Sequence, residues 1–118
     1  MNKPLESDLY GPVKAYLTRQ GYDIKGEVGV ADIVGRRGDD VVVVELKLGF
    51  SLALFHQGIE RLEVTDEVYV AVPAGAKNKA LRSNVKLARR LGLGVLTVRL
   101  YDGFVEALAD PGPYAARK

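Results

Sequence analysis

Asp32, Glu45 and Lys47 are the residues whose types and spacing could do chemistry. They stand in ADIVGRRGDDVVVVELKLGF, residues 31–50, around four consecutive valines. An ionised side chain beside such an apolar run is costly to bury unless it is paired or binds a metal. Side chains alternate along a strand, so Glu45 and Lys47 project from one face, about 7 Å apart, and Val44, Leu46 and Leu48 from the other. If GRRGDD (35–40) turns the chain back, Asp32 lies beside Glu45. Two close carboxylates repel, and a cation between them relieves the repulsion. A divalent ion held there would lower the pKa of a bound water and neutralise charge on a phosphate, while the lysine stabilises the attacking hydroxide. The same residues permit a plainer arrangement, in which Glu45 and Lys47 pair on a half-exposed strand and Asp32 caps a turn. An acidic-x-Lys triplet is expected about once by chance in a chain of this size.

Composition narrows the chemistry further. The chain has no cysteine and one histidine, His56, which excludes thiolate nucleophiles, Cys-based clusters and a His-rich metal site within one chain. A metal would have to be held mainly by carboxylates, which selects a hard ion, Mg²⁺ or Mn²⁺. His56 is more simply packed beside Phe55 or hydrated than catalytic. The net charge of +2 hides two unlike parts: residues 1–75 carry eight Lys/Arg against twelve Asp/Glu, and residues 76–118 carry nine against three. An acidic part beside a basic part suits a protein that holds cations in one place and a polyanion in another.

The elements that must position these residues follow from periodicity. LESDLYGPVKAYLTRQGY (5–22) predicts a helix with Leu9, Val13, Tyr16 and Leu17 on one side, its start distorted by Gly11 and Pro12. DIKGEVGVADIVGRR (23–37) predicts one or two strands, GDD (38–40) a turn, and VVVVELKLG (41–49) a strand buried on both faces. SLALFHQGIERL (51–62) predicts a helix with Ser51 as N-cap and Leu52, Phe55, Ile59 and Leu62 on one face. DEVYVAVP (66–73) is a strand, and AGAKNKALRSNVKLARRLGLG (74–94) a helix. That helix carries Ala80, Leu81, Ala88 and Leu91 on its apolar side, with Lys79, Arg82, Lys86, Arg89 and Arg90 opposite. VLTVRLYDGFVEALA (95–109) predicts a strand, a turn and a closing strand. Strands interleaved with helices imply an α/β domain around a mixed sheet. The expected domain spans residues 1–109, with DPGPYAARK (110–118) as a flexible basic tail or the start of a linker to a further C-terminal region. The N-terminus lacks a signal-peptide pattern, and no apolar run approaches the ~20 residues of a membrane span, so the expected location is the cytoplasm, with no membrane partner.

Through these residues the sequence resembles the PD-(D/E)XK nuclease superfamily, and within it a bacterial family of endonuclease-like proteins of unknown function. The resemblance covers most of residues 5–75: LESDLYGPVKAYL, GYDIKGEVGVADIVGRR, VVVVELKLGFSLALFHQGIERL and DEVYVAVP. It implies a restriction-endonuclease-like αβββαβ core, a mixed central sheet flanked by helices. It also implies a Mg²⁺- or Mn²⁺-dependent endonuclease acting on DNA. On that resemblance Asp32 is the first acid, Glu45 the second and Lys47 the lysine. Glu6 is the acid of the first helix, as in archaeal Holliday-junction resolvases, and Gln57 matches a glutamine that lines such sites. Ala31 stands where the pattern has proline, and Asp8 and Glu27 compete with Glu6 for the helix acid. The resemblance thus implies catalytic residues Asp32, Glu45, Lys47, Glu6 and Gln57, with Asp32, Glu45 and Glu6 around the metal.

Lys79, Arg82, Lys86 and Arg89, five-residue company with Arg90 and no interleaved acid, form the expected nucleic-acid contact, with Arg36 and Arg37 near the strand end as additional phosphate contacts. Cutting both strands of a duplex would favour a homodimer. Two alternatives stay open: a nucleic-acid-binding or assembly module that keeps the fold without the chemistry, and a hydrolase of small phosphate esters. Phosphate-loop and nucleophile-elbow patterns are absent from the chain.

Overall fold

The computed structural model describes residues 3–25, 32–75 and 79–114, with Lys79 described through its backbone. A 3-10 turn, Glu6–Leu9, runs directly into helix α1, Tyr10–Arg19. Strands β1 (Asp23–Lys25), β2 (Asp32–Arg37) and β3 (Asp40–Leu46) follow, then α2 (Leu52–Arg61), β4 (Glu67–Pro73), α3 (Lys79–Leu91), β5 (Gly94–Arg99) and β6 (Phe104–Ala109). The six strands form one mixed sheet in sequence order. β1, β2 and β3 are antiparallel neighbours, β3, β4 and β5 are parallel through the α2 and α3 crossovers, and β6 returns antiparallel to β5. Gly11 and Pro12 fall in the first turn of α1, where a missing N–H leaves no helical bond unmade.

The four valines alternate between two cores, as a strand covered on both faces must. Val42, Val44 and Leu46 pack with Leu9, Tyr10, Val13 and Leu17 on the α1 side. Val43 faces the other way, toward Leu54 and Phe55 of α2 and Ala88 of α3. Glu45 shares the parity of Val43 and therefore stands on the α2 side.

The β2–β3 hairpin sets the register of the acids. Arg37 pairs with Asp40 across a loop of two residues, Gly38 and Asp39. Gly38 has φ +61°, a conformation that a two-residue hairpin loop needs and glycine adopts without penalty. Counting back five residues from each side of the loop brings Asp32 opposite Glu45.

Helix α2 begins where expected: the Leu54 N–H donates to Ser51 Oγ at 3.1 Å. Its buried side is different from the expected one. Leu54, Phe55 and Gly58 are buried, whereas Leu52 is 70% and Ile59 41% exposed. Gly58 is the reason, because a Cβ there would stand 2.9 Å from Leu93 Cδ1. The helix presses its bare backbone onto Leu93, and that rotation carries Leu52 and Ile59 outward. On α3, Ala88 is fully buried, while Leu81 and Leu91 are half-buried and Ala80 is exposed. Part of the expected tail is folded back. The Gly112 N–H donates to the Gly92 carbonyl at 3.1 Å, and the Arg90 guanidinium lies 4.4 Å above the Tyr114 ring. Residues 115–118 lie outside the described residues. Among the described residues no helix is long and apolar enough to cross a membrane.

Candidate active site

Asp32 and Glu45 are Cα partners on adjacent antiparallel strands, so their side chains share one face of the sheet. Glu45 is 3% exposed, while the side chain of Asp32 is 32% exposed at the margin of α2. The cation between them is supplied by the chain itself. Arg61, the last residue of α2, donates from Nε to Glu45 Oε1 at 2.7 Å and from Nη2 to Asp32 Oδ2 at 3.1 Å. The hydrogen bond to Glu45 is the main force pushing the Arg61 pKa above its ordinary value, against the opposing effect of burial. The guanidinium therefore stays charged at any working pH.

Lys47 lies just past β3, where its N–H donates to the Ala71 carbonyl at 3.0 Å and prolongs the pairing with β4. Its ammonium is 3.8 Å from Glu6 Oε2, and both side chains are partly exposed. The plainer arrangement of a Glu45–Lys47 pair is not the one formed. Glu45 is bonded to Arg61 and Lys47 faces Glu6, while Asp32 is the first residue of β2. Two of the candidates for the helix acid are placed differently. Asp8 Oδ2 accepts the Leu5 N–H at 2.8 Å and fastens the start of the 3-10 turn, which leaves Glu6 to reach the strand end. Glu27 lies outside the described residues, as does Ala31.

Gln57 stands one helical turn before Arg61 and so shares its face of α2. Its Oε1 is buried and has no hydrogen-bond partner among the described residues. A buried acceptor without a donor is costly, and a water or donor entering beside Arg61 would satisfy it.

The expected three-acid shell is not assembled. Asp32 and Glu45 converge, but Glu6 faces Lys47, and among the described residues no group of three His, Cys, Asp or Glu side chains is arranged to hold a metal ion. The two strand acids do fit a hard divalent cation in their chemistry. They are carboxylates in register that already close on one cationic group.

Of the basic residues, Arg36 is exposed on the same face of β2 as Asp32. Arg37 points to the α1 side and is engaged there: it donates to the Gln20 carbonyl at 2.9 Å, stands 3.8 Å from Asp40 and lies 4.4 Å over the Tyr22 ring. These contacts clamp the hairpin onto α1. Arg82, Lys86 and Arg89 are exposed and wall a groove whose floor is Leu81, Val85 and Leu108. The structure does not bring this basic face to the acids. Helix α3 packs over β5 and β6, α2 over β3 and β4, and the acids lie at β2 and β3. At a strand spacing of about 4.8 Å the two features are separated by roughly 15–20 Å across the sheet.

Arg61 is the residue at these acids that the sequence pattern did not single out. One signal was available: it is the only Lys or Arg between Lys47 and Lys77. A crossover helix after the Glu45 strand must lie over that strand's open face, so a lone cation on it has the buried acid within reach.

A six-stranded mixed sheet with α1 on one face and α2 and α3 on the other, in this order, defines a restriction-endonuclease-like α/β fold. Among solved structures the chain is similar to an XisH family protein from Nostoc punctiforme PCC 73102. The TM-score is 0.51 and the identity 18%, over 84% of this chain and 96% of that one. At that identity the likeness is one of fold. No family model and no curated protein sequence matches the chain.

Proposed function

We propose that this domain is a metal-dependent endonuclease that hydrolyses phosphodiester bonds in DNA. The observation that carries the reading is the in-register pair Asp32–Glu45 on one face of two adjacent strands, with Lys47 two residues after Glu45. Asp32 and Glu45 would hold Mg²⁺ or Mn²⁺ through one oxygen each. The ion, when bound, supplies a water of lowered pKa and neutralises charge on the scissile phosphate. Lys47 orients and stabilises the attacking oxygen, and Glu6 acts as its counter-ion and keeps the ammonium aimed. Gln57 offers its unpartnered oxygen to a water in the site. Arg36 takes a phosphate beside the acids, and Lys79, Arg82, Lys86 and Arg89 take backbone phosphates farther along the nucleic acid.

The test is direct. Plasmid DNA incubated with the protein and Mg²⁺ or Mn²⁺ should be nicked or cut. Asp32→Ala, Glu45→Ala and Lys47→Ala should each abolish cleavage while circular dichroism stays native. Cleavage that survives Asp32→Ala or Glu45→Ala refutes the assignment. A second reading, a nucleic-acid-binding or assembly module without chemistry, is favoured by one observation, the closure of Arg61 on both acids. It predicts DNA binding with no cleavage and no Mn²⁺ binding that depends on Glu45.

A further inference from the structure

The acids and Arg61 compose a closed charge set at the position where the proposed nuclease needs its metal. Glu45 is nearly inaccessible to water and faces a second carboxylate, so it requires a cation whether or not metal is present. Arg61 meets that requirement through two hydrogen bonds, one to each acid. An ion bound to the same two oxygens would stand at about 2.1 Å from each. The guanidinium nitrogens already stand 2.7 and 3.1 Å from them, on the side where the two acids converge. A divalent ion and a guanidinium in such contact repel strongly, and both compete for the same lone pairs.

We infer that Arg61 is a resident counter-cation, and that its bridge and metal binding at Asp32 and Glu45 are mutually exclusive. The inference rests on the metal reading of these two acids. Arg61 is built to leave. It is the last residue of α2, its side chain is 44% exposed, and its aliphatic stem can swing the charged head into water while the helix stays packed through Leu54, Phe55 and Gly58. Metal uptake is thus an exchange of one cation for another. The domain keeps its acids compensated without metal and gives up part of its metal affinity for this. The exchange also frees a guanidinium at the mouth of the site in each loaded molecule.

Two measurements test the exchange without using activity. Mn²⁺ is titrated calorimetrically into the wild type, Arg61→Ala, Arg61→Lys and Glu45→Ala. Arg61→Ala should bind Mn²⁺ about ten- to a hundredfold more tightly than the wild type, the range expected when charge-assisted hydrogen bonds no longer compete. Arg61→Lys, which keeps the charge and loses the fork, should fall between them, and Glu45→Ala should abolish binding. In parallel, the Arg61 Nε–H resonance of the ¹⁵N-labelled wild type, identified by its loss in Arg61→Lys, is followed during Mg²⁺ titration. It should move toward the position of a hydrated arginine in proportion to site occupancy. This second arm needs no alanine variant and stands if Arg61→Ala fails to fold. Glu45-dependent binding of equal or weaker affinity in Arg61→Ala, or an Nε–H resonance unmoved at saturation, overturns the exchange and leaves the metal reading intact. Absence of Glu45-dependent binding in every variant overturns the metal reading and the exchange together.

Discussion

Replacing Arg61 by alanine removes both hydrogen bonds that tie β2 and β3 to α2 at the acids. The worse consequence falls on Glu45, which is 3% exposed and would be left beside Asp32 without a counter-charge. Removing one partner of a buried ion pair costs about 3–5 kcal/mol. This pair is only half buried: the side chains of Arg61 and Asp32 are 44% and 32% exposed, and exposed pairs contribute about 0–1 kcal/mol. The expected loss is therefore intermediate, about 2–3 kcal/mol, nearly all of it through Glu45. In a domain of this size that lowers Tm by about 8–12 °C. The assay is urea and thermal denaturation followed by circular dichroism in EDTA-containing buffer, so that no adventitious metal replaces the guanidinium. Adding Glu45→Gln closes the cycle. The double variant should be more stable than the sum of the two single effects by about 1 kcal/mol or more, because the buried charge and its partner leave together. An Arg61→Ala protein within about 0.5 kcal/mol of the wild type, or strict additivity in the cycle, would refute the claim that Arg61 compensates Glu45.

Two further outcomes follow from other parts of the molecule. Tyr69 is half-buried against Gly94, and burial chiefly pushes its phenol up to about 12. A phenol whose folded pKa is raised contributes stability that is complete below the unfolded value near 10 and is lost as pH rises toward about 12, so Tyr69→Phe should flatten the alkaline fall in stability over that window, read by urea midpoints at successive pH values. Replacing Arg82, Lys86 and Arg89 together by alanine should weaken DNA binding across all sequences and reduce the slope of log affinity against log salt by about 2–3, measured by fluorescence anisotropy. An unchanged slope would show that α3 does not meet the backbone.

The parts of the site legible in the sequence were those fixed by short-range geometry. A two-residue loop at Gly38–Asp39 dictates that Asp32 pairs with Glu45, and alternation dictates which core each valine enters. What was hidden depends on helix rotation and on crossovers. Periodicity counts bulky apolar residues, so it put Leu52 and Ile59 on the buried side of α2 and gave no weight to Gly58. The missing side chain of Gly58 is what lets the helix approach Leu93. The same rotation lets Arg61 reach the acids. An arginine in the last turn of a helix ordinarily reads as a complement to the helix dipole, which concealed its second role. The basic stripe of α3 was plain from spacing, but its distance from the acids is set by where β5 and β6 join the sheet, which no local pattern encodes.

The three ion pairs of the site divide the charges in a way that bears on chemistry. Lys47 follows Glu45 by two residues at the end of β3, so a direct bond between them was the simplest outcome, and it would have neutralised both. Arg61 takes the strand acids and Glu6 takes the lysine at the looser separation of 3.8 Å. Lys47 is thus not locked onto Glu45, and Asp32 and Glu45 are held close without either depending on the lysine. A purely structural network has no need for that separation, since one Glu45–Lys47 pair would stabilise the strand end as well. A site that must present two carboxylates to one cation and an ammonium to an incoming oxygen does need it. The arrangement makes Glu6 the discriminating residue. Glu6→Gln should leave stability within about 0.5 kcal/mol of the wild type, since its pair with Lys47 is partly exposed, while lowering the cleavage rate. A variant with unaltered cleavage would reduce the Glu6–Lys47 contact to a surface ion pair.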